Sequence, residues 1–250
     1  MQKFLKEQLK SFISGNEFLA KIMLYFCNDL KNLKYDYETL GVFKKVLKRN
    51  SNCIDVGCHK GDILKKMIRF APEGIHLAFE PLPDLQKKLQ KKFGKKHKIF
   101  SVALCDKKGI STFNFVTTNP AYSGLRKRSY DYPDEKEKSI EVSTDTLDTV
   151  MPENLNIDLI KIDVEGGEFQ VLLGAMETIK KNRPYIIFEH GLGAADHYGT
   201  KPEQIYDLLS SCGLKISLME YFLAGKEPLD KHEFSGQFNK RYNYYFIAHK

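Results

Sequence analysis

The stretch NCIDVGCHKGDILKKMIRFA, residues 52–71, decides the fold of this chain. Its first half reads as a short buried strand and its second half as a helix. The two are joined by a tight turn that holds Asp55, Gly57 and Gly61. Glycine at such a turn lets the backbone approach a ligand closely. The spacing is D-x-G-x-x-x-G, with His59 where a dinucleotide fingerprint would carry its central glycine. A carboxylate just before the turn repels a pyrophosphate but accepts a hydrogen bond from an ammonium group, directly or through water. That favours a ligand with an amino-acid moiety, such as S-adenosylmethionine.

The same alternation continues outward. IHLAFEP, KIFSVAL, IDLIKIDVEG and YIIFEHG read as strands, and DLQKKLQKKFG and FQVLLGAMETIKKN as helices between them. Strands alternating with helices of this length imply βαβ units and a mainly parallel sheet with right-handed crossovers. STFNFVTT and SIEVSTDTLD add two alternating segments around a long polar loop. KISLMEYF and YNYYFIAHK are expected as two last strands, antiparallel at the sheet edge. The expected architecture is therefore α/β, with a seven-stranded Rossmann-like sheet and helices at the N-terminus. Residues 1–50 are expected as a helical segment packed on a domain formed by residues 51–250. Open sheets of this kind bind ligands beyond the carboxyl ends of their strands.

Those strand ends carry the candidate site. Glu80, at the tip of the second strand, can accept both hydroxyls of a ribose, with Pro81 next to it. Val102 and Ala103 can flank an adenine, and Asp106 is expected as a helix cap. In KIDVEGGEFQ, residues 161–170, three carboxylates crowd into six positions. Glu168 suits a helix N-terminus, where acidic groups are favoured. Asp163 and Glu165 are candidates for the acceptor side, where a carboxylate can orient a hydroxyl, take its proton or hold a divalent cation. The residues leave these three open. Glu189 and His190 follow at the next strand tip, His190 as a candidate general base. His197 lies in the loop beyond. The loop around Tyr122, Ser123, Arg126, Lys127 and Arg128 is long and polar enough to serve as a lid, its cations meeting a phosphate of the acceptor.

Composition bounds the rest. At 250 residues, with 42% hydrophobic and 28% charged residues, the chain suits one globular domain. The net charge of +7 is spread along helices, and the lysines of LQKKLQKKFGKKHK alternate with Leu85, Leu89 and Phe93 as the wet face of a surface helix. No nucleic-acid motif accompanies them. Five cysteines without a C-x-x-C pair imply free thiols in a reducing compartment, the cytoplasm. The N-terminal apolar stretch is interrupted by Glu17 and Lys21, so no stable membrane insertion is expected. The sequence carries no signal of assembly, and a homodimer is compatible with it.

IDVGCHKGD, FEPLPD, VALCD, VSTDTLD and KIDVEGGEFQVLLGA together resemble the FkbM family of S-adenosylmethionine-dependent methyltransferases. The resemblance spans about residues 50–190. It implies a class I methyltransferase fold, S-adenosylmethionine held along Asp55, Gly57, His59, Gly61, Glu80, Pro81, Val102, Ala103 and Asp163, and O-methylation. The implied acceptor is a small molecule or glycan, a sugar hydroxyl on a nucleotide-linked sugar or polysaccharide precursor. Asp163, Glu165 and His190 are then the catalytic candidates, and Tyr122, Ser123, Arg126, Glu189 and His197 the acceptor-binding ones. Two other readings stand beside it. A nucleotide-sugar-binding oxidoreductase would need the dinucleotide loop that is missing, and a noncatalytic nucleic-acid-binding module would rest on the lysines alone.

Overall fold

The structure is a computed structural model that describes residues 17–130 and 134–250, with side chains described from residue 30 onward. The chain divides into two compact units, residues 1–40 and 41–250. The described part of the first is helical and belongs to α1, Glu17–Val46; the helix expected over residues 1–16 lies outside the described residues.

The second unit holds the sheet. Strands β1 (Cys53–Val56), β2 (Leu77–Phe79) and β3 (Lys98–Phe100) alternate with α2 (Asp62–Phe70) and α3 (Pro83–Phe93). Strands β4 (Ala103–Leu104), β5 (Gly109–Val116) and β6 (Glu137–Asp145) follow, then α4 (Leu147–Val150), β7 (Leu159–Ile162), α5 (Glu168–Leu173), α6 (Met176–Asn182) and β8 (Tyr185–Glu189). The chain ends with α7 (Pro202–Ser211), β9 (Lys215–Ser217), α8 (Met219–Ala224), α9 (Lys231–Asn239) and β10 (Tyr245–His249). Seven strands form one sheet in the order β3-β2-β1-β7-β8-β10-β9. β10 runs antiparallel to both β8 and β9, and the pairs from β3 to β8 are parallel. This is the expected class I methyltransferase-like sheet, with its antiparallel pairing at the far end.

Physical reasons for the elements are local. All four residues of β1 and of β7 are buried, as in parallel strands covered by helices on both faces. Ile54, Val56, Ile160, Ile162, Phe188 and Phe246 join one core. Helix α2 turns Leu64 and Met67 inward, and α3 starts at Pro83, where a missing N–H costs no helical bond. On α3 Leu89 is buried and Lys87, Lys88, Lys91 and Lys92 are exposed, the wet face expected from their spacing. Asp230 and Glu233 cap α9 reciprocally, each carboxylate accepting the other's backbone N–H at 2.7 and 2.9 Å.

Four sequence expectations change. KIFSVAL is not one strand: β3 pairs with β2 in the main sheet, whereas β4 pairs with β6 in a second sheet ordered β4-β6-β5. FQVLLGAMETIKKN breaks into α5 and α6 because the Gly174 carbonyl leaves the helix to accept Asp148 N, and the Asp148 carboxylate caps α6 through Glu177 N and Thr178 N. KISLMEYF is strand only to Ser217; the Met, Glu, Leu and Ala of MEYFLA, residues 219–224, are strong helix formers, and α8 ends at Gly225 in the left-handed region. Asp106 caps no helix, since the next element is β5.

Candidate functional site

The loops after β1, β2 and β7 meet at the carboxyl ends of the central strands. Gly57, with φ +79°, makes this possible: a Cβ there would stand 1.8 Å from the Asp163 carbonyl oxygen. Its N–H and that of Cys58 both donate to the Phe79 carbonyl, which ties the first loop to β2. Two adjoining cavities result. One is lined by Gly57, His59, Glu80, Pro81, Val102 and Ala103, with Phe79, Phe113, Ser123, Leu125, Asp163, Glu165 and Tyr198 among its other walls. The second is lined by Asp55, Cys58, Lys161, Asp163 and Glu165 and shares Gly57 and His59.

Glu80 is buried and accepts His59 N at 2.8 Å on one oxygen and Leu82 N at 2.9 Å on the other. Burial outweighs these bonds and pushes its carboxyl up to about 7. Each oxygen keeps a lone pair for a ligand at the cavity wall. Asp55 is 1% exposed, and neither carboxylate oxygen has a hydrogen-bond partner. Burial pushes the Asp55 carboxyl up, the Lys161 ammonium beside it works the other way, and its oxygens remain for a donor in the second cavity, which Asp55 lines. Donors with a cationic amine and a ribose diol fit such a pair of carboxylates. The residues present therefore fit S-adenosylmethionine.

A polar row crosses four neighbouring strands beside these cavities. Asp55 on β1 stands in register with Lys161 on β7, and Glu189 on β8 with Tyr245 on β10. Lys161 Nζ donates to Asp163 Oδ2 at 2.6 Å, and Tyr245 Oη donates to the same oxygen at 2.5 Å. Burial works against ionisation of Asp163, but the Lys161 ammonium overrides it and holds the carboxyl at about 2. Burial likewise disfavours the charged Lys161, and Asp163 and Asp55 more than reverse that. Glu189 goes the other way: burial, then Asp163 and Glu168, raise it well above the usual range. Oxygens of Asp163, Glu165 and Glu189 lie within 4.8 Å of one another. Each already has a protein partner, so the cluster carries no metal assignment.

Glu168 is 1% exposed and accepts Val164 N and Gly166 N, the structural service at a helix start expected of it. Glu165, in a left-handed conformation with φ +60°, forms an ion pair with Arg128 of the long loop. The three cations of that loop do not converge. Arg128 lies over Tyr122 and pairs with Glu165, Lys127 pairs with the exposed-side Glu137, and Arg126 donates to the His197 carbonyl at 3.1 Å and lies over Tyr198. Ser123 accepts Val116 N and lines the first cavity. His197 Nε2 is 3.1 Å from Ser129 Oγ, which fastens the loop from the other side.

Of the expected acceptor residues, Tyr122, Arg126, Glu189 and His197 line neither cavity, and two further expected site residues stand elsewhere. His190 is fully buried, with its ring stacked on Phe238 at 4.5 Å and on Phe234 at 6.0 Å. Alternation along the strand explains this: with Glu189 facing the row, His190 faces the opposite side. It lines neither cavity, and burial lowers it to about 4, so the general-base role does not fall to it. Gly61 also lines neither; Leu89 and Phe93 of α3 pack over it, and its place is in the turn. Sequence reading missed Lys161, Tyr245 and Tyr198. Lys161 had a signal, since a lysine inside a buried strand needs a partner, and Asp163 is two residues on along the same face. Tyr245 and Tyr198 had none.

Residues 55–216 match the Methyltransferase FkbM domain. The chain is 23% identical over 212 residues to the AMB antimetabolite synthetase AmbE of Pseudomonas aeruginosa, covering 70% of this chain and 10% of that protein. It is 27% identical over 144 residues to the 2-O-methyltransferase NoeI of Sinorhizobium fredii, covering 52% and 59%. It thus spans less than two thirds of either relative. The crystal structure of methyltransferase FkbM from Methylobacillus flagellatus superposes with a TM-score of 0.50 at 13% identity, over 82% of this chain and 45% of that one, which shows a shared fold. With the domain matched across β1 to β9 and the cofactor-side carboxylates in place, the chain belongs to the FkbM family of S-adenosylmethionine-dependent methyltransferases.

Proposed function

We propose that this protein methylates a sugar hydroxyl, on a nucleotide-linked sugar or polysaccharide precursor. The observation that carries an oxygen acceptor is the Asp163 carboxylate. It is held ionised by Lys161 and lines both cavities, where it can orient a hydroxyl and share in taking its proton. The relative NoeI, a 2-O-methyltransferase, supports the same chemistry.

Asp55, Gly57 and His59 would hold the amino-acid end of the donor, Glu80 its ribose, and Pro81, Val102 and Ala103 its base. S-adenosylmethionine supplies a methyl group already made electrophilic by its sulfonium, so the chain's own task is mainly alignment. Leu125, Phe113 and Tyr198 wall the first cavity against water. Arg128 and Tyr122 stand at the acceptor side with Glu165, and an aromatic face beside a guanidinium suits a sugar ring or its phosphate. Four free, buried cysteines among the described residues support a reducing compartment, the cytoplasm. No described helix is long and apolar enough to cross a membrane.

The direct test is incubation of the purified chain with S-adenosylmethionine and a panel of nucleotide sugars and oligosaccharides, read by a mass gain of one methyl group. Methylation of nitrogen or carbon acceptors alone would overturn the reading.

A further inference from the structure

The charges around Asp163 do not balance inside the protein. Among the described residues, Lys161 and Arg128 are the cations that ion-pair with the row, and both are committed, Lys161 to Asp163 and Arg128 to Glu165. Asp55, Asp163, Glu165, Glu168 and Glu189 stand against them. Glu189 faces Asp163, Glu168, Arg128, Tyr245 and Lys161, and a carboxylate oxygen of Glu189 lies within 4.8 Å of one of Asp163. Two carboxyl groups that close share a proton, because both cannot ionise without a cation of their own.

We propose that Asp163 and Glu189 hold one proton between them in the donor-free enzyme, and that docking of the cationic methyl donor releases it, so that the pair meets the acceptor with both carboxylates ionised only once the donor is in place. This rests on the donor reading above.

Geometry decides which carboxyl carries the proton. Tyr245 Oη and Lys161 Nζ both donate to Asp163 Oδ2 and favour its charged form, which leaves the proton on Glu189. Burial and the neighbouring acids act on Glu189 in the same direction. A unit positive charge entering a cavity that Asp163 lines, a few ångström away at an effective dielectric constant of about 20, shifts such an equilibrium by about two pH units. The freed proton goes to solvent. In the later transfer, the oxygen–methyl bond forms as the methyl–sulfur bond breaks, the bonding pair stays on sulfur, and the hydroxyl proton passes to the Asp163–Glu189 pair through Asp163, which lines both cavities. The site returns to its starting charge as the sulfonium becomes a neutral thioether. Early acceptor binding thus meets a pair that already holds one proton, and the spent cofactor no longer has the charge that opened the pair.

Calorimetry tests this without an acceptor. S-adenosylmethionine and S-adenosylhomocysteine are titrated into the full chain at one pH, in buffers of different ionisation enthalpy. The dependence of the heat on the buffer counts protons exchanged. The two compounds share amine, carboxylate and ribose, so their difference isolates the sulfonium. S-adenosylmethionine should release about one proton more than S-adenosylhomocysteine. Glu189→Gln should abolish that difference while both compounds still bind. In the parent protein, difference infrared spectra should lose a protonated-carboxyl band with S-adenosylmethionine and keep it with S-adenosylhomocysteine, a readout that needs no variant. Equal proton counts for the two compounds, or an unchanged difference in Glu189→Gln, would overturn the inference alone. Failure to bind either compound would overturn the donor reading and this inference with it.

Discussion

Lys161 on β7 and Asp163, just beyond the strand's end, lie two residues apart with their side chains joined, ammonium and carboxylate 2.6 Å apart and the lysine 7% exposed. The pair joins the cofactor side to the acceptor side: Lys161 also faces Asp55, whose oxygens accept no hydrogen bond, and Asp163 also accepts from Tyr245. One cation therefore sustains two carboxylates that serve different halves of the site.

Replacing Lys161 by Met should then destabilise the fold by about 3 kcal/mol, because removing one partner of a buried pair strands the other charge. Lys161→Arg should recover part of it. Urea denaturation gives the comparison, and a Met variant as stable as the parent would show that the carboxylates need no internal counterion.

Asp163→Asn should keep the fold and reduce turnover by roughly 10² or more, the scale for losing a positioned acid–base group. Glu165→Gln should fall as far if it touches the acceptor. If Glu165 only anchors Arg128, turnover should hold while the acceptor's KM rises. Steady-state kinetics with the acceptor found by mass gain separates the two.

Glu80 ties its chemistry to pH near neutrality. Its carboxyl is raised to about 7, and a ribose diol is best accepted by the ionised form. Affinity for S-adenosylmethionine should weaken as pH falls below about 7 and level off above it. Glu80→Ala should cost about 1 to 3 kcal/mol of binding. Titration calorimetry across pH reads both, and unchanged affinity in the variant would remove Glu80 from the site.

His190 and His76 predict an acid limb in stability. Each is held neutral by burial at about 4, against 6.5 when unfolded. Between those values the unfolded chain binds more protons, so stability falls as pH drops from 6.5 toward 4, by about 3 kcal/mol for each group. His76 accepts Cys53 N on Nδ1 and must stay neutral to do so. His190 only stacks, so His190→Phe should flatten its share of the limb and leave turnover near normal. Thermal melts at pH 5 and 7.5 measure the first effect; a large loss of turnover would return His190 to the site.

The loop cations should differ sharply. Arg128→Ala removes the half-buried ion pair to Glu165 and the cover over Tyr122, so residues 117–130 should exchange amide hydrogens faster and the acceptor's KM should rise. Lys127→Ala, an exposed pair, should change stability by less than about 1 kcal/mol. Equal behaviour of the two variants would argue against a seated loop.

The sequence by itself determined the strand–helix alternation, the parallel core and the turn at Asp55, because burial on both faces of β1 and β7 demands continuous apolar runs that are visible residue by residue. It also placed Glu80 and Asp163 at strand tips, since alternation with helices fixes where each strand ends; Glu165, expected to begin the following helix, lies instead in the left-handed turn before it. Local pattern further gave Glu168 its helix start. Tertiary structure alone decided which side each tip residue faces relative to its neighbours: Glu189 joined the row and His190 was sent into Phe234 and Phe238. It brought Tyr245, 82 residues along the chain, onto Asp163, and it set Arg128 rather than its neighbours on Glu165. Such meetings depend on register between strands and on how a loop folds back, long-range relations that no short window of sequence encodes.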